Sequence, residues 1–386
     1  MSDRSSRRTP LLVAGQPGRH TSWLELFFDL AFVVAVGAVS GRLGSGPDVH
    51  PADLAVTLGL FVVVWWAWLG QAFFDNRFEQ GDTFHQFAVL AATAGAGAMT
   101  LGIADAPRTW LLPAAYVLVR GCLLALYLRA RHLDASARAV SDVYLPGFGV
   151  GFLCWAGSVA APPGVRPWLW AAVLAVDLLT PWLGRRRLTR VPVDPAHLPD
   201  RLGGFTIILL GSILVDVLDA LPAHPGPPAL AVALTAFLIP AAIWWIYRLF
   251  AAADLSANRL RGGQPYAYLH GVLTAALLLI GWCLGVLVRQ AAADAQAAPA
   301  HFRLLVGVSL GLWMVTGAAL QHVGPGGVGR RRAAVTGIGV LGVLAAAWAP
   351  HPAAMLVAIA AVMLGYAALI QRFLLRAERA PAARTG

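Results

Sequence analysis

Long apolar runs, interrupted by short polar or Pro/Gly-rich segments, dominate the chain. They cover residues 23–40, 52–73, 84–104, 109–128, 143–161, 167–184, 203–220, 228–250, 266–288, 302–321, 333–349 and 353–372. Each is close to the ~20 residues with which a helix crosses about 30 Å of hydrocarbon. The pattern therefore predicts an all-α polytopic membrane protein of twelve transmembrane helices. Two divisions rest on short turns, the Pro-rich 161–168 and Ala349-Pro-His-Pro352. The first run follows a basic leader and ends near Ala38-Val-Ser40, which has the look of a signal cleavage site. Its two carboxylates, Glu25 and Asp29, argue instead for a retained helix.

Composition agrees with this pattern. Hydrophobic residues make up 58% and charged residues 12%, against about 25% charged in a soluble protein. All 29 basic residues are Arg, and the net charge is +10. With the N-terminus inside, 23 arginines fall in or at the ends of cytoplasmic segments and five (Arg42, Arg108, Arg166, Arg289 and Arg303) in or at the ends of external loops; Arg120 alone lies deep within a span. That asymmetry follows the positive-inside rule and places both termini in the cytoplasm of a bacterial cell, with the plasma membrane as the location. It also accounts for the basic excess through loops that meet anionic headgroups, so nucleic acid is not an expected partner.

The polar residues inside spans are few. Glu25 and Asp29 stand four residues apart, on one helix face. Acidic side chains at mid-depth cost roughly 2.5–3.5 kcal/mol each and mark a functional hypothesis. His85, Arg120 and Asp177 lie at comparable depth on the cytoplasmic side of spans three, four and six. Asp216 near the outer end of span seven and His270 at the start of span nine complete the candidate set. Two readings stand. The groups form an ion-pair network in which Arg120 bonds Glu25, Asp29 or Asp177, or they line a site for an ion, proton or small solute that His85 gates. Asp75 and Asp254 read as loop residues, and the Trp65-Trp66 and Trp244-Trp245 pairs as packing in the bundle core.

The two halves of the chain match each other. Trp65-Trp66-Ala-Trp68 and Asp75 recur 179 residues later as Trp244-Trp245-Ile-Tyr247 and Asp254. His20 and Phe28 recur at offset 177 as His197 and Phe205, and His85 at offset 185 as His270. Six spans per half give both halves one orientation, the parallel-repeat arrangement of some transporters. The expected divisions are an N-terminal tail over 1–22, a first repeat over 23–190, a second over 191–375 and a C-terminal tail over 376–386. The halves are not equivalent, because Leu202 and Thr206 stand opposite Glu25 and Asp29.

Three segments carry a family resemblance. These are Trp23-Leu-Glu-Leu-Phe-Phe-Asp-Leu-Ala-Phe32, Arg201-Leu-Gly-Gly-Phe-Thr-Ile-Ile-Leu-Leu-Gly211 and the paired tryptophans. With them the chain resembles, over nearly its whole length, the bacterial low temperature requirement A family of membrane proteins. The resemblance implies a multi-pass membrane protein connected with growth in the cold, and no defined molecular activity. Members commonly carry Glu after the glycine of the seventh span. Here that position is Ser212, with Asp216 one turn on. Phe28-Asp29 with Phe32 also looks like the Phe-Ser-Asp signature of the lysosomal potassium channel family, an analogy of short reach.

Other motifs add little. Cys122, Cys154 and Cys283 have no metal-ligand spacing and read as small apolar residues. Gly324-Pro-Gly-Gly-Val-Gly329 lacks the Gly-Lys-Ser/Thr ending of a phosphate loop and reads as a turn. Gly147/Gly151, Gly281/Gly285 and Gly307/Gly311 have the spacing of close helix contacts. No cofactor, metal site or catalytic residue is expected. Three functions fit: a transporter or channel for a small solute or ion, a membrane enzyme acting on lipid through Glu25, Asp29 and His85, and a non-catalytic component supporting cold adaptation. The sequence does not set the oligomeric state.

Overall fold

The computed structural model describes residues 21–78, 81–251, 263–295, 297–323 and 330–379. The leader before residue 21, His20, Asp254, the Gly324–Gly329 turn and the end of the C-terminal tail lie outside these residues. Among the described residues every element is helical. In order they are α1 (Trp23–Gly41), α2 (Pro51–Arg77), α3 (Thr83–Ile103), α4 (Leu111–Leu133), α5 (Arg138–Ala160), α6 (Arg166–Leu183), the single-turn α7 (Arg185–Leu188), α8 (His197–Asp219), α9 (Pro227–Ala251), α10 (Gln264–Ala292), α11 (Ala300–Val323), α12 (Arg330–Ala346) and α13 (Pro352–Arg379). A 3₁₀ turn, Ala135–Ala137, precedes α5.

The long helices coincide with the apolar runs. Ten of them are long and apolar enough to cross a membrane. The other two are α6, whose 18 residues include Arg166 and Asp177, and the 17-residue α12, which opens on three arginines. Two helices outrun their apolar stretches, and this overturns three assignments. Asp75 and Arg77 belong to the last turns of α2, and Arg201 to the first turns of α8. Read as loop groups, all three are buried, at 1%, 0% and 0% exposure. Hydropathy alone hides them, because a polar turn at the end of a run looks the same whether it is solvated or paired.

The chain divides into two compact units, one of residues 1–32, 63–201 and 260–264 and the other of 33–62, 202–259 and 265–386. In the first, α3 packs on α4, α4 on α5 and α5 on α6. In the second, α9 packs on α13, and α12 on α11 and α13. The glycine pairs mark close approaches, as their spacing predicts. A methyl at Gly147 or Gly151 would collide with Thr180 or Asp177 of α6, at Gly281 with Asp216 and Ile213 of α8, and at Gly307 with Leu344 of α12.

Burial on α1 is the reverse of a soluble helix. Trp23, Phe27 and Leu30 face outward, whereas Glu25 and Asp29 are buried beside Phe28 and Phe32. An apolar exterior over a polar interior suits a hydrocarbon solvent, in which exposed apolar area costs nothing and polar groups must find partners inside. The chain is thus a multi-pass helical membrane protein in contact with the bilayer. Two of the five arginines counted as external serve the fold. Arg166 donates to the carbonyls of Pro107, Arg108, Thr109, Ser158 and Val159 at 2.7–3.1 Å. Arg303 likewise donates to those of Ala298 and Trp348.

Some expectations fail locally. Trp65 and Trp66 are buried, but Trp244 and Trp245 are 41% and 37% exposed, so only the first pair is core. Of the cysteines, Cys283 is buried and Cys154 is exposed.

Asp82 caps α3, accepting from the His85 amide at 3.0 Å and from Arg129 at 2.7 Å. Partial burial raises its carboxyl pKa, but the Arg129 hydrogen bond and the His85 and Phe84 amides outweigh it and hold the group below the usual carboxylate range. Its stabilisation is therefore complete above the unfolded pKa of about 3.9 and fades as pH falls through the lower folded value. Asp82→Ala is expected to cost about 1 kcal/mol at neutral pH. Thermal unfolding at pH 7 and pH 3 checks this, with a smaller difference at the lower pH.

Candidate functional site

The last three turns of α2 organise the polar interior of the first unit. At the far end of the cluster, α1 begins with a reciprocal capping box. The Ser22 amide donates to Glu25 Oε2 at 2.6 Å, and the Glu25 amide to Ser22 Oγ at 3.3 Å. One Glu25 oxygen thus finishes the helix start. The other, Oε1, lies 3.2 Å from His197 Nε2 and 3.7 Å from Arg201 Nε. One turn deeper, Asp29 takes Arg201 in a two-pronged contact, Nη2 to Oδ1 at 2.9 Å and Nη1 to Oδ2 at 3.0 Å. This fork geometry suits guanidinium and is unavailable to lysine. Trp68 of α2 donates its indole N–H to Asp29 Oδ1 at 2.6 Å.

The loop before α8 sets Arg201 and His197 in place. Asp194 caps that helix, accepting from the Ala196 and His197 amides at 2.9 and 3.1 Å. Asn76 at the end of α2 grips the same residue both ways, accepting from the Asp194 amide at 2.8 Å and donating to its carbonyl at 3.2 Å. Arg77 donates to the Val191 carbonyl at 3.3 Å. Side chains of α2 therefore hold the segment that leads into His197 and Arg201.

A second group sits two turns along α2 from Trp68. Asp75 Oδ1 lies 2.9 Å from His85 Nε2 and accepts from Gln71 Nε2 at 2.8 Å. Phe74 stacks on the His85 ring with 6.2 Å between centroids. The third group joins α4 and α6. Arg120 donates to Tyr116 and, at 3.3 Å, to Asp177 Oδ2, which also accepts from the Tyr116 hydroxyl at 3.2 Å. The guanidinium lies 4.5 Å from the Phe148 ring centroid and against Gly70 of α2. A side chain at Gly70 would displace it. Gly151 makes the same kind of room for Asp177.

Five sequence candidates thus lie in one unit: Glu25 and Asp29 meet Arg201 and His197, His85 meets Asp75, and Arg120 meets Asp177. Of the three partners considered for Arg120, Asp177 is bonded, whereas Glu25 and Asp29 meet Arg201. The remaining two stand in the second unit. His270 is buried between Tyr247, whose hydroxyl is 3.1 Å from Nε2, and the Tyr266 carbonyl, 3.0 Å from Nδ1. Thr206 Oγ1 donates to the Leu202 carbonyl at 2.8 Å. Asp216, half-buried, lies against Gly281 of α10. No group of three or more metal-ligating side chains occurs among the described residues.

Sequence reasoning missed Trp68, Gln71, Asp75, His197 and Arg201. A legible signal existed for part of this, since Ser22-Trp-Leu-Glu25 is a capping-box pattern. With this geometry in hand, the comparisons place the chain. The family model described as Bacterial low temperature requirement A protein (LtrA) matches residues 20–368. No curated protein matches the chain.

Proposed function

The chain belongs to the bacterial low temperature requirement A family, and from that membership and its buried cluster we propose a transporter or channel for a small solute or ion, coupled to protons through the α2-centred groups. The observation that carries this reading is the pair of imidazole–carboxylate contacts, Glu25–His197 and Asp75–His85, buried within helices of a membrane protein. Such pairs shift a proton between two heavy atoms about 3 Å apart, the geometry of a relay element. Asp29 and Arg201 beside them supply a fixed ion pair against which that movement is felt.

The duplicated architecture belongs to the same proposal: twelve spans in two parallel six-helix repeats, both termini cytoplasmic, in the plasma membrane. The matched positions in the sequence support it. Asp29 bonds Trp68 in the first half; of the residues standing opposite, Thr206 bonds the Leu202 carbonyl of its own helix and Tyr247 bonds His270. The second half has lost the charge, so proton chemistry is assigned to the first.

A lipid-acting enzyme is less well supported. Glu25, Asp29 and His85 are 2%, 0% and 2% exposed and already engaged by neighbours, so a lipid bond has no approach to them. The non-catalytic membrane component keeps one observation in its favour, the same extensive pairing, which also suits a purely structural network. Proteoliposomes holding a pH-sensitive dye separate the two. Imposed gradients of small ions and solutes are expected to drive an internal pH change that His85→Gln with Asp75→Asn returns to the level of protein-free vesicles. No pH response to any gradient, from folded protein, would favour the structural component.

A further inference from the structure

A cavity of about 510 Å³ opens between α5, α6 and α7, within the size range, roughly 300–1,000 Å³, of ligand sites. Its walls include Val143 and Pro146 of α5 and Leu183 of α6, and Arg186 and Arg187 of α7 stand at its edge. The one carboxylate in its lining, Asp142, is bonded by Arg131 at 2.6 Å. Arg186 and Arg187 are exposed, and among the described residues neither has a carboxylate partner. Leu179 and Leu183, which flank the cavity on α6, are 54% and 83% exposed and face hydrocarbon.

We propose that this cavity binds one anionic phospholipid, with its phosphate on Arg186 and Arg187 and its glycerol and upper acyl carbons along Val143, Pro146 and Leu183. Charge complementarity selects the occupant. Two guanidiniums without counter-ions among the described residues border an apolar recess at the end of two helices, where the polar edge of a bilayer meets its hydrocarbon. The arginine asymmetry assigns this edge to the cytoplasmic leaflet, whose anionic lipids attract such clusters. The inference is independent of the transport reading.

The test uses the purified full chain in neutral detergent, with dioleoyl phosphatidylglycerol and dioleoyl phosphatidylcholine as probes and native mass spectrometry as the readout. The chain is expected to retain phosphatidylglycerol over phosphatidylcholine. Arg186→Gln with Arg187→Gln is expected to weaken phosphatidylglycerol retention by on the order of tenfold or more. Arg185→Gln with Arg190→Gln removes the same charge from the same segment but leaves the cavity lining intact, and is expected to stay within about twofold of the parent. Val143→Phe fills the recess without changing charge and is expected to lower retention as well. Equal losses in the two double variants would overturn the proposal in favour of diffuse surface attraction. Equal retention of the two lipids would overturn it outright. So would displacement of the lipid by inorganic phosphate at matched concentration, which would make the site one for a free anion.

Discussion

Arg201→Met is expected to cost roughly 3–5 kcal/mol of stability, the usual loss when one partner of a buried ion pair is removed. The guanidinium holds both Asp29 oxygens at 2.9–3.0 Å and lies 3.7 Å from Glu25, and all three groups are essentially unexposed. Its removal leaves two carboxylates facing each other across one helical turn, with His197 beside Glu25 and Trp68 bonded to Asp29. Thermal unfolding of purified protein in detergent measures the loss. Combining Arg201→Met with Glu25→Gln and Asp29→Asn removes the charges together and is expected to restore most of the stability, because neutral replacement of a whole buried pair is commonly tolerated. Failure of the neutral triple variant to recover would mean that the shape of the cluster matters more than its charge.

Arg120→Leu is expected to cost a similar amount, again roughly 3–5 kcal/mol. Arg120 joins α4 to α6 through Asp177, sits over the Phe148 ring and fills the space that Gly70 leaves on α2. Truncation strands the Asp177 carboxylate among Tyr116, Gly151 and apolar side chains. Arg120→Lys is expected to rescue poorly, since an ammonium cannot bond Tyr116 and Asp177 while stacking on the ring. Asp177→Asn in the Arg120→Leu background is expected to recover part of the loss. Additive losses from Arg120→Leu and Asp177→Asn would show that the two residues do not act as a pair.

These two arginines show how far the sequence could be read. Arg120 stood out because it interrupts an apolar run, but depth alone left Glu25, Asp29 and Asp177 open as its partners. Arg201 had no such contrast. It sits where an apolar run begins, amid Pro, Asp and Gly, and counts equally well as a headgroup-facing loop cation. Asp75 was hidden in the same way at the end of α2. What places them is tertiary. Asn76 and Arg77 hold the 191–194 segment, just ahead of the His197 and Arg201 that meet Glu25 and Asp29. No local pattern reports a bond between residues 118 positions apart. The helices themselves were legible because twenty apolar residues in lipid have few alternatives to a helix. The glycine contacts were legible because a small residue repeated every fourth position has one obvious use.

The division of labour between halves also sharpened. Leu202 and Thr206 in place of Glu25 and Asp29 announced the asymmetry in the sequence. The structure adds that the second half is neutral at these positions, with Tyr247 bonded to the buried His270.

The most direct test of a functional cluster is solute-driven pH change in proteoliposomes holding the neutral triple variant, Glu25→Gln, Asp29→Asn and Arg201→Met, after its melting temperature has confirmed folding. The proposed function predicts a folded protein whose response falls to that of protein-free vesicles. A folded triple variant with the parent's full response would contradict it and leave the buried charges a structural role alone.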